Sequence, residues 1–193
     1  MAKPPSLWHG QGIHGISLLA LLAATSWLWH RMGSPYPGAF WLAVMTPVMH
    51  QIYVWVAWRT ELNQGAVSRI LGFRGYVVCF FVLFGGRFVT LAYLAWLDRG
   101  SLGLAPTVQL VLALVLLVPA LYAGYSVKRY FGMLRASGAD HFDARYRAMP
   151  MVEQGIFRYT NNGMYLYAFM AFWAIAIGCN CSAATLVAAF SHA

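Results

Sequence analysis

The chain has 193 residues, of which 61% are hydrophobic and 16% aromatic, with 13 Lys+Arg against 5 Asp+Glu and a mean hydropathy of +0.61. Charged residues make up 9% of it, where a soluble domain carries roughly 25%, so too little charge is present to dress a water-facing surface. This excludes an ordinary soluble globule, a disordered chain and a disulfide-rich secreted scaffold, and leaves an integral membrane protein.

About 20 apolar helical residues cross a bilayer core about 30 Å thick, and runs of that length follow one another along the chain. The first, 13–30, ends in Trp27-Leu28-Trp29, an aromatic belt suited to a membrane interface. It reads as a retained span: Ala23-Ala24-Thr25 is a weak cleavage site, and Lys3 is the only basic residue of a leader-like start. A Pro/Gly turn, Gly33 to Gly38, leads into the second span, 39–58. The third is 76–97 and the fourth 107–127. A polar loop, 128–163, precedes two apolar arms within 164–193, joined by the turn Gly178-Cys179-Asn180-Cys181. These arms are short for straight spans and predict a helical hairpin that enters the membrane. The expected fold is all-α, a polytopic transmembrane helical bundle of four full spans plus a C-terminal helical hairpin, forming a single integral membrane domain over 1–193.

Charge sets the expected orientation. The connection after the second span holds Arg59, Arg69 and Arg74 against Glu61. The one after the fourth holds Lys128, Arg129, Arg135, Arg145, Arg147 and Arg158 against Asp140, Asp143 and Glu153. By the positive-inside rule both basic loops and the N-terminus face the cytoplasm, in the inner membrane of a bacterium or the endoplasmic reticulum of a eukaryote. The net charge of +8 then expresses topology and affinity for anionic headgroups, not a nucleic-acid footprint. Three cysteines without a Cys-x-x-Cys pair, and six histidines without matching carboxylates, predict no metal. Cys79, Cys179 and Cys181 read as small apolar fillers, and His9, His14 and His30 as interfacial.

Two polar side chains stand where lipid is expected. Arg87 sits near the middle of the third span, and a guanidinium there needs a partner, a cavity or a headgroup. All five acids fall in predicted loops, so a ligand anion, a lipid phosphate or a cluster of carbonyls and hydroxyls is its expected partner. In the second span Thr46, His50 and Tyr53 share a helical face, with Pro47 freeing a carbonyl one turn earlier. His50 is carried with Arg87 as a candidate substrate-binding residue, with helix-to-helix hydrogen bonding as the alternative. Gly86 and Thr90 mark close helix packing.

The most informative stretch is Gly155-Ile156-Phe157-Arg158-Tyr159-Thr160-Asn161-Asn162-Gly163-Met164-Tyr165, a polar loop opening into an apolar helix. It resembles the signature of the integral-membrane methyltransferases, which include phospholipid N-methyltransferases and isoprenylcysteine carboxyl methyltransferases: Gly-(Ile/Val)-(Tyr/Phe)-x-Tyr-x-Arg-His-Pro-x-Tyr. Gly155, Ile156, Phe157, Tyr159 and Tyr165 match. Asn161-Asn162-Gly163 stands where the pattern has Arg-His-Pro, so roles for that Arg and His do not carry over, although Asn retains donors and acceptors and Gly permits close backbone approach.

The resemblance covers about 125–190 and implies S-adenosylmethionine as cofactor, with no metal. It assigns cofactor contacts to Gly155, Phe157, Arg158, Tyr159, Asn161, Asn162, Gly163 and Tyr165, the aromatics meeting the sulfonium and Arg158 the carboxylate. Tyr146 and His141 are secondary candidates. It also implies an acidic cytoplasmic segment beyond the hairpin, which is expected to be missing from this sequence. The implied reaction is methyl transfer to a membrane-embedded acceptor, first the amine of phosphatidylethanolamine and its methylated derivatives. An isoprenylcysteine carboxylate, a small thiol and a non-catalytic membrane scaffold are the alternatives. The sequence assigns neither a catalytic proton acceptor nor an oligomeric state.

Overall fold

In lipid every backbone N–H and C=O must be satisfied internally, and long uncharged runs meet that demand as helices. The computed structural model describes residues 5–160 and 162–193 and is helical, with no strand among the described residues. The first helices are α1 (Gln11–Arg31), α2 (Pro37–Gln64), α3 (Ala66–Ile70), α4 (Gly72–Leu97) and α5 (Pro106–Ser126). Of these, α1, α2, α4 and α5 are long and apolar enough to cross a membrane. Helix α5 runs on through a wider π-turn, Val127–Phe131, and breaks at Gly132.

The connection between the second and third spans differs from the predicted loop. Helix α2 continues past residue 58 because no breaker intervenes before Gly65, whose φ of 61° stops it while its N–H donates to the Glu61 carbonyl at 2.8 Å. Glu61, expected in a loop, therefore lies on the last turns of α2. Its carboxylate accepts from the Ser68 N–H at 2.9 Å and the Ser68 hydroxyl at 2.5 Å, folding α3 back against α2.

After α5 the polar stretch forms short pieces: α6 (Met133–Ala136), a 3₁₀ turn at Ala139–His141, α7 (Ala144–Arg147) and a 3₁₀ turn at Gly155–Arg158. Buried Tyr76 pins the first part to the bundle. Its hydroxyl donates to the Ser137 carbonyl at 2.5 Å and accepts from Trp58 Nε1 at 2.7 Å. The Trp58 ring stacks on His141 with centroids 4.2 Å apart, so His141 is occupied by packing. The same ring leaves no room at Gly138, where a Cβ would fall 2.5 Å from its atoms.

The C-terminal arms are a π-turn at Met164–Ala168 leading into α8 (Met170–Gly178), then α9 (Ser182–His192). Helix α8 lies along α5, while α9 inserts among α1, α2 and α4. Ala183, Ala184 and Ala188 let it approach the core of Phe40, Val44, Leu91, Leu94, Phe172 and Val187. Small side chains suit helix packing in a membrane, where contact rather than water exclusion drives association. The second arm is thus part of the protein interior rather than a lipid-facing span. Cys181 is fully buried in this core, as a small apolar filler would be, and it also takes a second role at the N-terminus of the arm. The Cys181 sulfur accepts from the Ala184 N–H at 3.2 Å and donates to Asp98 Oδ2 at 3.4 Å, capping α9.

Candidate functional site

The end of α5 and the Gly155–Arg158 turn make a cleft. Ser126 is fully buried, and its Oγ accepts from the Ile156 N–H at 3.0 Å while donating to the Tyr122 carbonyl at 2.7 Å. This bond requires the chain to approach α5 closely at Gly155. There φ is +62°, and a Cβ would lie 2.5 Å from Ser126 Oγ and 2.9 Å from the Tyr130 ring. A side chain is excluded both by space and by conformation. Ile156 and Phe157 are then buried beneath the loop, with Phe157 stacked on Phe131 at 5.3 Å. Gly163 repeats the device on the other side, since a Cβ there would sit 2.9 Å from the Ile156 side chain.

A cleft of about 700 Å³ opens over this scaffold, lined by Tyr130, Glu153, Gln154, Gly155, Phe157 and Arg158. A second of about 390 Å³ shares Phe157 and includes Asp140, Tyr146, Met151, Val152 and Met164. Of the residues read from the sequence, Gly155, Phe157 and Arg158 meet in the first cleft. Tyr159, Asn162 and Tyr165 are exposed outside both linings, and Gly163 is buried against Ile156. Asn161 lies outside the described residues. Tyr146 lines the second cleft. Tyr130, Glu153 and Gln154 join the cleft without any signal in the sequence. No motif marks them, and Tyr130 reaches the cleft only because the π-turn carries the end of α5 around toward Gly155.

The two intramembrane polar residues lie deeper. Arg87 is 4% exposed. One terminal nitrogen donates to the Ser191 carbonyl at 3.3 Å, its guanidinium carbon lies 4.9 Å from the centroids of both Phe169 and Phe172, and Nε has no partner among the described residues. His50 is 5% exposed, packs against Phe80 at 4.8 Å, and has no hydrogen-bond partner on either ring nitrogen. The expected helix-to-helix bond belongs instead to Tyr53, whose hydroxyl donates to the Tyr76 carbonyl at 3.0 Å. Gly86 marks the predicted close approach, with its missing Cβ 3.4 Å from the Thr46 methyl.

Residues 108–193 match the family model described as Phospholipid methyltransferase. That range contains the end of α5, both clefts, the motif and the hairpin, and the match supports the membrane methyltransferase superfamily. No curated protein and no solved structure matches the chain significantly.

Proposed function

We propose that this chain, an integral membrane protein whose residues 108–193 match the phospholipid methyltransferase family, moves a methyl group from S-adenosylmethionine to the amine of phosphatidylethanolamine and its methylated derivatives. The observation that carries the reading is the cleft over Ser126 and Gly155, which falls within the matched residues and on the motif. Its donor set suits the cofactor. Arg158 offers a fork for a carboxylate, Glu153 and Gln154 offer acceptors for hydroxyl or ammonium groups, and Tyr130 and Phe157 offer aromatic faces to a cation. Bound there, the cofactor supplies an electrophilic methyl on a sulfonium, which needs no metal.

The chain's own contribution is placement. The Ser126–Ile156 bond and the absence of side chains at 155 and 163 hold the turn against α5, so that cleft residues keep their positions when a ligand enters. Tyr159, Asn162 and Tyr165, exposed beside the cleft, are the groups we assign to closing over the cofactor, together with Asn161. In this reading the basic loops face the cytoplasm, where they meet soluble cofactor and anionic headgroups. The acceptor amine approaches from the bilayer side.

The test is transfer of labelled methyl from S-adenosylmethionine by purified protein in phosphatidylethanolamine vesicles, with products separated by thin-layer chromatography. Label in mono-, di- or trimethylated phosphatidylethanolamine is expected. Label only in an added prenylcysteine or thiol would overturn the choice of acceptor, and no transfer to any acceptor would overturn the enzyme reading.

A further inference from the structure

Arg87 and His50 are buried polar groups that the cleft leaves without a task, and they stand on two helices of the bundle, α4 and α2, that pack against each other. Helices α2 and α4 run antiparallel in close contact, with Thr46 against Gly86, His50 against Phe80 and Tyr53 against the Tyr76 carbonyl. Phe84, 6.0 Å from the His50 ring, lies 5.4 Å from Phe88, which lies 4.6 Å from Phe172, the ring beneath the Arg87 guanidinium, so one run of aromatic rings joins the two residues. Both side chains are more than nine-tenths buried, and Arg87 Nε and both nitrogens of His50 lack partners among the described residues.

Four acids are engaged elsewhere: Glu61 with Ser68, Asp98 with Ser101, Asp140 with His141 and Asp143 with Arg145. Glu153 lines the cleft. A guanidinium and an imidazole facing a seam without a carboxylate form a donor set for an oxyanion. Phenylalanine rings enclose the seam, and the neighbouring surface residues Met49, Ile52 and Val82 are outward-facing and apolar. An anion carrying acyl chains reaches such a place from the bilayer, whereas a free anion must be stripped of water first. Phe169 bridges the two levels, touching Arg87 on one side and lying 5.8 Å from Tyr165 on the other.

We propose that Arg87 and His50 form a binding site for the phosphodiester of a membrane phospholipid, linked to the motif through Phe169. This rests on the membrane-lipid reading of the substrate, and it adds the group by which that lipid is held.

The experiment is native mass spectrometry of the full chain released from micelles containing equal dioleoylphosphatidylethanolamine and dioleoylglycerol, which lacks the phosphate. S-adenosylhomocysteine affinity is measured in parallel. Wild type should retain the phospholipid over the glycerolipid by about ten-fold or more. Arg87→Met should abolish that preference, Arg87→Lys should keep a reduced one, and His50→Phe should lower it several-fold, all with unchanged S-adenosylhomocysteine affinity. Should Arg87→Met fail to fold, His50→Phe decides alone: loss of preference supports the site and full retention overturns it. Retention of the preference by folded Arg87→Met, displacement of the lipid by millimolar inorganic phosphate, or a loss of S-adenosylhomocysteine binding in Arg87→Met would each overturn it, the last by assigning the anion to the cofactor. A wild type that retains phospholipid but binds no S-adenosylhomocysteine would leave this site standing and remove the proposed transfer reaction.

Discussion

The turn that joins α8 to α9 and the motif that leads into α8 lie at opposite ends of one helix, and the chain treats them in opposite ways. At the turn, Asn180 sits at φ 55°, its side chain accepting from the Leu104 N–H and donating to the Leu104 carbonyl, both at 3.0 Å. The Leu102 N–H donates to the Asn180 carbonyl at 2.8 Å, Gln109 donates to the Gly178 carbonyl at 2.6 Å, and Ser101 accepts from the Ser182 N–H at 2.9 Å. At the motif, Ser126 provides the cross-link to the Ile156 N–H, and the side chains of Arg158, Tyr159, Asn162 and Tyr165 face outward. Both ends are polar, but one directs its polar groups at the chain and the other at the surroundings. Polar residues at the first end make structure, and those at the second remain available to a ligand.

The contrast breaks most sharply at Gly155. Gly155→Ala puts a methyl into Ser126 and forces a side chain to a positive φ, so overpacking of about 1–3 kcal/mol and conformational strain of about 1–2 kcal/mol combine. Loss of S-adenosylhomocysteine binding and a clear fall in melting temperature in detergent are expected. Full binding in this variant would contradict the packing of the cleft. The matching change at the other end is Asn180→Ala, which leaves both Leu104 backbone groups without their partner and should cost about 2–3 kcal/mol. Here the melting temperature should fall while ligand affinity stays at the wild-type value. A parallel loss of affinity would mean the two ends are not independent.

Much of this architecture was legible in the sequence because hydropathy reports helices directly when the solvent is lipid. The four spans and the paired arms follow from it, and the Phe157 and Gly155 positions follow from the motif. The extension of α2 to Gln64 was not legible, because hydropathy drops at Arg59 while helicity persists to Gly65. Nor was the capping role of Cys181, which depends on Asp98 arriving from α4. Tyr130, Glu153 and Gln154 escaped because a cleft between a helix end and a later turn is a property of the fold, and no spacing within the sequence encodes it.

Smaller changes sharpen the comparison. Ser126→Ala removes the acceptor of the buried Ile156 N–H, with an expected cost of about 1–2 kcal/mol. Hydrogen exchange should rise at 155–158 and stay unchanged at 178–182. Equal exchange in variant and wild type would show that glycine packing alone holds the turn.

The mildest test lies in the loop between α6 and the motif. Asp143 accepts from the Arg145 side chain and N–H, which holds its carboxyl below the usual carboxylate range. A carboxyl so lowered contributes its stabilisation above its unfolded pKa of about 3.9 and loses it as pH falls through the lower folded value. Exchange of the Arg145 amide should therefore be protected near neutrality and lose its Asp143-dependent protection only under acid. Asp143→Ala, which removes the acceptor, should show reduced protection at neutral pH, with ligand binding unaltered. Protection in Asp143→Ala equal to that of wild type at neutral pH would contradict the cap on α7.

The claim that the motif end is the ligand end is tested most directly by calorimetric titration of S-adenosylhomocysteine into the purified full chain, alongside Arg158→Ala and Asn180→Ala. Saturable binding is expected in wild type and Asn180→Ala, with affinity about ten-fold weaker in Arg158→Ala where a charge-assisted bond to the carboxylate is lost. Absence of binding in wild type, or equal affinity in all three proteins, would contradict it.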